Sequence, residues 1–149
     1  MTYDAKTKSR TETKYIVVHC ADSKPSMDIG AAEIDRWHRA RGWACIGYNR
    51  VIKRDGTIEQ GRPDDQIGAH VEGYNSVSIG ICLVGGLKQD GSGPENNFTV
   101  AQMNSLKVLL VELRKRYPKA IILGHYEFPG VKKTCPNFPA SKWAKDAGL

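Results

Sequence analysis

Three side chains able to hold a metal lie far apart in the chain, each near the end of an apolar run or in a turn. His19 closes the β-branched stretch KYIVVHC (14–20), and His125 follows the apolar AIIL (120–123) after one glycine. Cys135 returns ten residues after His125, through a loop containing Pro129 and Gly130. Neutral imidazole and thiolate are good zinc donors, with Zn–N of ~2.0–2.1 Å and Zn–S of ~2.3 Å. Two histidines and one cysteine leave a fourth tetrahedral position for water, the pattern of catalytic zinc rather than of a closed structural site. Spacing alone fits two other readings equally: core histidines beside an inert thiol, or a cysteine–histidine hydrolase. No HExxH motif is present.

Two strand ends that meet at one sheet edge would bring these donors together. KYIVVHC and SIGICLVG (78–85) read as buried strands, and AIIL as a short one. GYNRVIKRDGTIEQGR reads as a hairpin turning at Asp55-Gly56. Residues 30–41 predict a helix with Ala31, Ile34, Trp37, His38 and Arg41 on one side, closed by Gly42. Thr99 and Gln102 form a capping box for a long helix with Val100, Met103, Leu106, Leu110, Leu113 and Tyr117 in register, stopped by Pro118. A last helix starts near Pro139 or Ala140 and carries Trp143. The order predicts a mixed α/β domain over 14–149, a central mixed sheet flanked by helices, behind a flexible tail over 1–13.

The 149 residues suit one domain, and no run of about 18 apolar residues predicts a membrane span. The polar start predicts no secretory leader, hence synthesis in the cytoplasm. The net charge of +6 favours polyanions such as an anionic wall, but neither basic blocks nor a nucleic-acid motif accompany it. Of the four cysteines, Cys20, Cys45 and Cys82 read as structural, and reducing conditions disfavour disulfides.

The stretches VVHCADSKPS, IDRWHRARGW, IGYNRVIKRDGTIEQGR, GAHVEGYNSVSIGICLVGG, FTVAQMNSLKVLLVEL and TCPNF occur in this order. Together, over about residues 14–146, the chain resembles the zinc-dependent N-acetylmuramoyl-L-alanine amidases, above all the small phage endolysins. Peptidoglycan recognition proteins share that fold. The resemblance implies one zinc per chain on His19, His125 and Cys135, with Tyr48 and Lys133 as catalytic groups. It implies hydrolysis of the amide between N-acetylmuramic acid and L-alanine by metal-activated water, on the cell wall after release. Where the family usually has Gly-Tyr-His, this chain has Gly47-Tyr48-Asn49; that histidine is not a ligand, so catalysis is expected to survive. The loop between His125 and Cys135 is about two residues longer than in near relatives, which makes Lys132 a competitor for the Lys133 role.

His70 and Asn75, in a glycine-rich loop, are expected to border the substrate. His38, Trp43 and Trp143 are expected to be structural, and Arg62 and Asp64 to be surface ions. The expected partner is peptidoglycan, with an RNA polymerase of the phage as a second one implied by resemblance. Neither direct nucleic-acid binding nor membrane insertion is expected, and the chain is expected to be a monomer. The alternatives are a non-catalytic peptidoglycan-binding module and the cysteine–histidine hydrolase.

Overall fold

The apolar stretches become the strands of one sheet. A computed structural model describes residues 7–149. In it, β1 (Tyr15–Cys20), β2 (Arg50–Ile52), β3 (Ile58–Gln60), β4 (Ser78–Leu83) and β5 (Ile121–Gly124) line up in the order β3-β2-β4-β1-β5. The pairs β1–β4, β1–β5 and β2–β4 are parallel, and the hairpin pair β2–β3 is antiparallel. The helices are α1 (Ala31–Ala40), α2 (Val100–Arg116) and α3 (Ala140–Asp146).

Side chains alternate between faces along a strand, and the buried clusters follow that alternation. Ile16, Val18, Ile79, Ile81 and Ile52 pack against Leu106, Leu109, Leu110 and Leu113 of α2 and Ala140 and Ala144 of α3. Their neighbours Val51 and Cys82 pack on the other face against Ala31 and Ile34 of α1. The chain moves one way along the sheet from β1 through α1 to β2, and the opposite way from β4 through α2 to β5. Right-handed crossovers in opposite directions put their helices on opposite faces.

The capping box on α2 forms as expected: Gln102 N–H donates to Thr99 Oγ1 and Thr99 N–H to Gln102 Oε1, both at 3.0 Å. The Gln102 amide also donates to the carbonyls of Ile52 (3.1 Å) and Val84 (2.8 Å), so this buried polar residue locks the helix start to the sheet. Val100, expected on the apolar stripe, is 78% exposed, and Leu109 takes a place on it instead. The hairpin strands are shorter than expected, with Gly56 at φ +90 in the turn. Glu59 of β3 accepts from Ala31 N–H at 2.9 Å and so caps α1.

The tail expected over 1–13 differs where it is described; residues 1–6 lie outside the described residues. Residues 8–10 run along the 64–67 loop. Ile67 N–H donates to the Lys8 carbonyl and Arg10 N–H to the Asp65 carbonyl, each at 2.7 Å. The Arg10 guanidinium reaches the carbonyls of Asp64 (2.7 Å) and Gln66 (3.1 Å).

Arg62 and Asp64 are not free surface ions. Arg62 is buried and donates to the carbonyls of Ile46 (2.7 Å) and Ile67 (2.9 Å). Asp64 accepts from Arg50 (2.8 and 2.7 Å), Gln60 (2.9 Å) and Arg116 (2.8 Å). Burial alone would raise the Asp64 carboxyl, but these hydrogen bonds outweigh it and hold the pKa down at about 2. The unfolded chain therefore binds the extra proton. The resulting stability, roughly 2 kcal/mol, is complete above about pH 4 and is lost as pH falls towards 2. Urea titrations across that window should show Asp64→Asn losing less stability on acidification than the parent. Equal losses in the two chains would contradict this account.

Candidate metal centre and groove

The parallel strands β1 and β5 end at one sheet edge, where parallel sheets place their ligand sites. His19 lies near the end of β1 on the face away from α2, because Ile16 and Val18 occupy the α2 face. His125 opens a 3-10 turn, His125–Glu127, directly after β5. Glu127 holds that turn: Gly124 N–H donates to its Oε2 at 2.6 Å and the Ser141 hydroxyl to its Oε1 at 2.5 Å. Tyr126 N–H donates to the Cys135 carbonyl at 2.9 Å, which clips the cysteine loop to the same turn. Asn137 closes that loop from the left-handed region, at φ +73, its N–H donating to the Thr134 carbonyl at 2.7 Å.

The result is that donor atoms of His19, His125 and Cys135 all lie within 4.8 Å of one another. A shared ion with bonds of about 2.0–2.3 Å would draw these atoms closer together, and N, N, S is a zinc-type donor set. The group could hold a metal ion. Burial, with His70 and His125 nearby, keeps His19 well below the usual imidazole range. Burial and the Lys133 charge lower His125. Both rings are therefore in the neutral form that ligates. The neighbouring Cys20 thiol and burial push the Cys135 thiol well up. The Cys20 N–H donates to Cys135 Sγ at 3.1 Å, a contact suited to a thiolate once a cation compensates its charge.

Tyr48 precedes β2 and stacks near the donors, its ring centroid 5.1 Å from that of His19 and 5.6 Å from that of His38. Burial and the thiols of Cys82, Cys135 and Cys20 hold its hydroxyl protonated, well above the usual range. Lys132 and Lys133 are both exposed on the rim of the groove. Of the two, Lys133 is the one whose charge depresses His125.

His70 and Asn75 also line the groove, but their polar atoms are engaged within the protein. Asn75 Oδ1 accepts from the backbone N–H groups of His70 and Val71, each at 2.8 Å. His70 Nδ1 lies 2.8 Å from His19 Nε2. Burial, then the charges of His125 and Arg10, lower the His70 pKa to about 3. Asn49 is fully buried and directed into the scaffold: its amide donates to the carbonyls of Pro63 (3.0 Å) and Gln66 (3.1 Å), and its Oδ1 accepts from Gly80 N–H (3.0 Å).

The groove measures about 1340 Å³, more than a small-molecule pocket of ~300–1,000 Å³. Trp37, His38, Arg41 and Trp43 line it together with the 129–135 loop and the donor triad. Trp43, expected to pack inside, is 37% exposed on that wall with the Arg41 guanidinium 5.9 Å from its ring centre. His38 is structural as expected, its Nδ1 accepting from Gly47 N–H at 2.9 Å. Trp143 packs on Phe138. Cys20, read from the sequence as structural, has its backbone N–H on Cys135 Sγ, and Ser78, which the sequence did not single out, meets the His70 ring at 3.3 Å.

The sequence profile of a family described as "N-acetylmuramoyl-L-alanine amidase" matches residues 9–138. The chain is 46% identical over 136 residues to the endolysin of Escherichia phage T7, covering 91% of this chain and 88% of that protein. It is 48% identical over 134 residues to the endolysin of Klebsiella phage KP32, covering 90% and 87%. The N-acetylmuramoyl-L-alanine amidase LysC from Clostridium intestinale has a similar structure, with a TM-score of 0.81 at 28% identity over 100% of this chain and 93% of that one. Bumblebee PGRP-SA, at 22% identity and a TM-score of 0.79, shares the fold over 98% of this chain and 89% of its own. A five-stranded mixed sheet, a convergent His–His–Cys group at its edge and a profile match over most of the chain lead to one assignment: this protein belongs to the N-acetylmuramoyl-L-alanine amidase family.

Proposed function

We propose that this chain is a peptidoglycan hydrolase of the endolysin kind that cleaves the amide between N-acetylmuramic acid and L-alanine, with one zinc on His19, His125 and Cys135. The observation that carries the reading is the convergence of those three donors within 4.8 Å in a groove roomy enough for a glycopeptide. When bound, zinc would make water acidic enough to supply hydroxide near neutral pH and would polarise the amide carbonyl. Lys133, as an ammonium at the rim, stabilises the oxyanion that develops on that carbonyl. Tyr48, held protonated, hydrogen-bonds to the same oxygen or passes a proton to the leaving amine. Trp37 and Trp43 give the sugar–peptide chain an apolar wall.

The reading is tested on purified cell wall. New L-alanine amino termini, released in step with zinc content and abolished by a chelator, are the expected products. Wall that is bound but yields no new termini would favour a binding module instead. Two features argue against the cysteine–histidine hydrolase: the raised thiol of Cys135 is a poor nucleophile, and its Sγ sits among metal-type donors. Binding to an RNA polymerase rests on the resemblance alone and is tested separately by pull-down with the purified polymerase.

A further inference from the structure

The hydroxyl of Ser78 fixes a chain of protons that ends at His19. Ser78, fully buried at the start of β4, has one hydrogen to give, and its Oγ donates it to the Tyr74 carbonyl at 2.8 Å. Towards His70 Nε2, 3.3 Å away, the same oxygen offers only a lone pair. With the hydroxyl so engaged, His70 Nε2 carries the ring proton, and in a neutral imidazole Nδ1 is then bare. His70 Nδ1 faces His19 Nε2 at 2.8 Å, a separation that requires one of them to donate. With Nδ1 of His70 bare, the donor is His19 Nε2–H.

We propose that His70 and Ser78 are positioning residues that select the Nε2–H tautomer of His19 and so leave its Nδ1 lone pair for the metal. The inference rests on His19 being a metal ligand, as proposed above. The surroundings are built to hold His70 in place. A Cβ at Gly80 would lie 2.7 Å from the His70 ring, and one at Gly68 also 2.7 Å, so the ring occupies a slot that two glycines leave open. Asn75 Oδ1 secures the backbone N–H of His70 at 2.8 Å. The Asn49 amide, through Gly80 N–H, fixes the strand beneath the ring. A partner of this kind, one step outside the ligands, typically alters metal affinity 10–100-fold when removed. The role assigned to His70 is thus set by its inward contact with His19.

Long-range 1H–15N correlation spectra of the full chain, recorded with and without zinc, read the tautomers directly. The expected pattern is a protonated Nε2 on both His19 and His70, with zinc moving the Nδ1 resonance of His19. A proton on Nδ1 of either ring in the metal-free chain, or a zinc-dependent shift at His19 Nε2, would overturn the proposal. Zinc competition against a chelator gives a second reading. His70→Leu should bind zinc ~10–100-fold more weakly. His70→Asn, whose Oδ1 can stand in for Nδ1, should recover most of that loss; equal affinities for the two variants would overturn the relay. Should the leucine variant not fold, the spectra of the parent and of Ser78→Ala decide, the latter expected to lose the single tautomer at His70. A parent chain that takes up no zinc would defeat the metal reading instead, while its metal-free spectra would still judge the relay.

Discussion

Cys135→Ser is expected to leave a folded chain that no longer retains stoichiometric zinc and no longer releases L-alanine termini from cell wall. Cys135 sits on a loop held by the Thr134–Asn137 turn and by the Tyr126–Cys135 backbone bond, and the one scaffold contact of its thiol, from Cys20 N–H, can be accepted by a serine hydroxyl. The substitution therefore removes a metal donor with little cost to the scaffold. The expected effect on rate is large because a bound zinc would bring the pKa of water from 15.7 to ~7, raising available hydroxide at neutral pH by roughly eight orders of magnitude. Zinc content by elemental analysis and product release on the same sample should fall together. If the cysteine were the nucleophile, complete removal of zinc from the parent would leave activity intact and alkylation alone would abolish it.

Lys133→Ala should lower kcat by ~10²–10³, the usual cost of losing one oxyanion donor, with zinc content unchanged. Lys132→Ala should change kcat by less than about fivefold, as expected for an exposed charge away from the reacting atoms. The two lysines are adjacent and both exposed, so composition cannot separate them. What separates them is the field at His125, which Lys133 depresses. A large loss in the Lys132 variant with a small one in the Lys133 variant would reverse the assignment.

Much of the fold was legible because its signals are local. The Thr99–Gln102 box marks the start of α2, Asp55-Gly56 marks the hairpin, and the apolar runs mark β1, β4 and β5. The candidate donors were legible too, through their position at strand ends. What the sequence hid depends on contacts between distant segments. Asp64 looks like any loop carboxylate until Arg50 and Arg116 arrive from β2 and α2. Residues 8–10 are polar and unpatterned, yet they find backbone partners some 57 positions away, which no local pattern reports. Trp43 reads as a core residue by type, and exposure on the groove wall became visible only with the fold. His70 has the residue type of a substrate contact, and only the placement of Gly68 and Gly80 around its ring turns it inward.

The order of strands has a consequence for how the enzyme comes into being. The interior strand β1 is the first to be synthesised, and its outer neighbour β5 is the last. His19 leaves the ribosome early, but His125 and Cys135 follow only when most of the chain has been translated. Until β5 inserts beside β1, that flank of β1 is unpaired, and His19 stands apart from the other two candidate donors. The candidate metal centre is thus the product of contacts far apart in the chain, the kind that form slowly because loop closure must precede them. A chain cut short before β5 carries His19 alone of the three candidate donors.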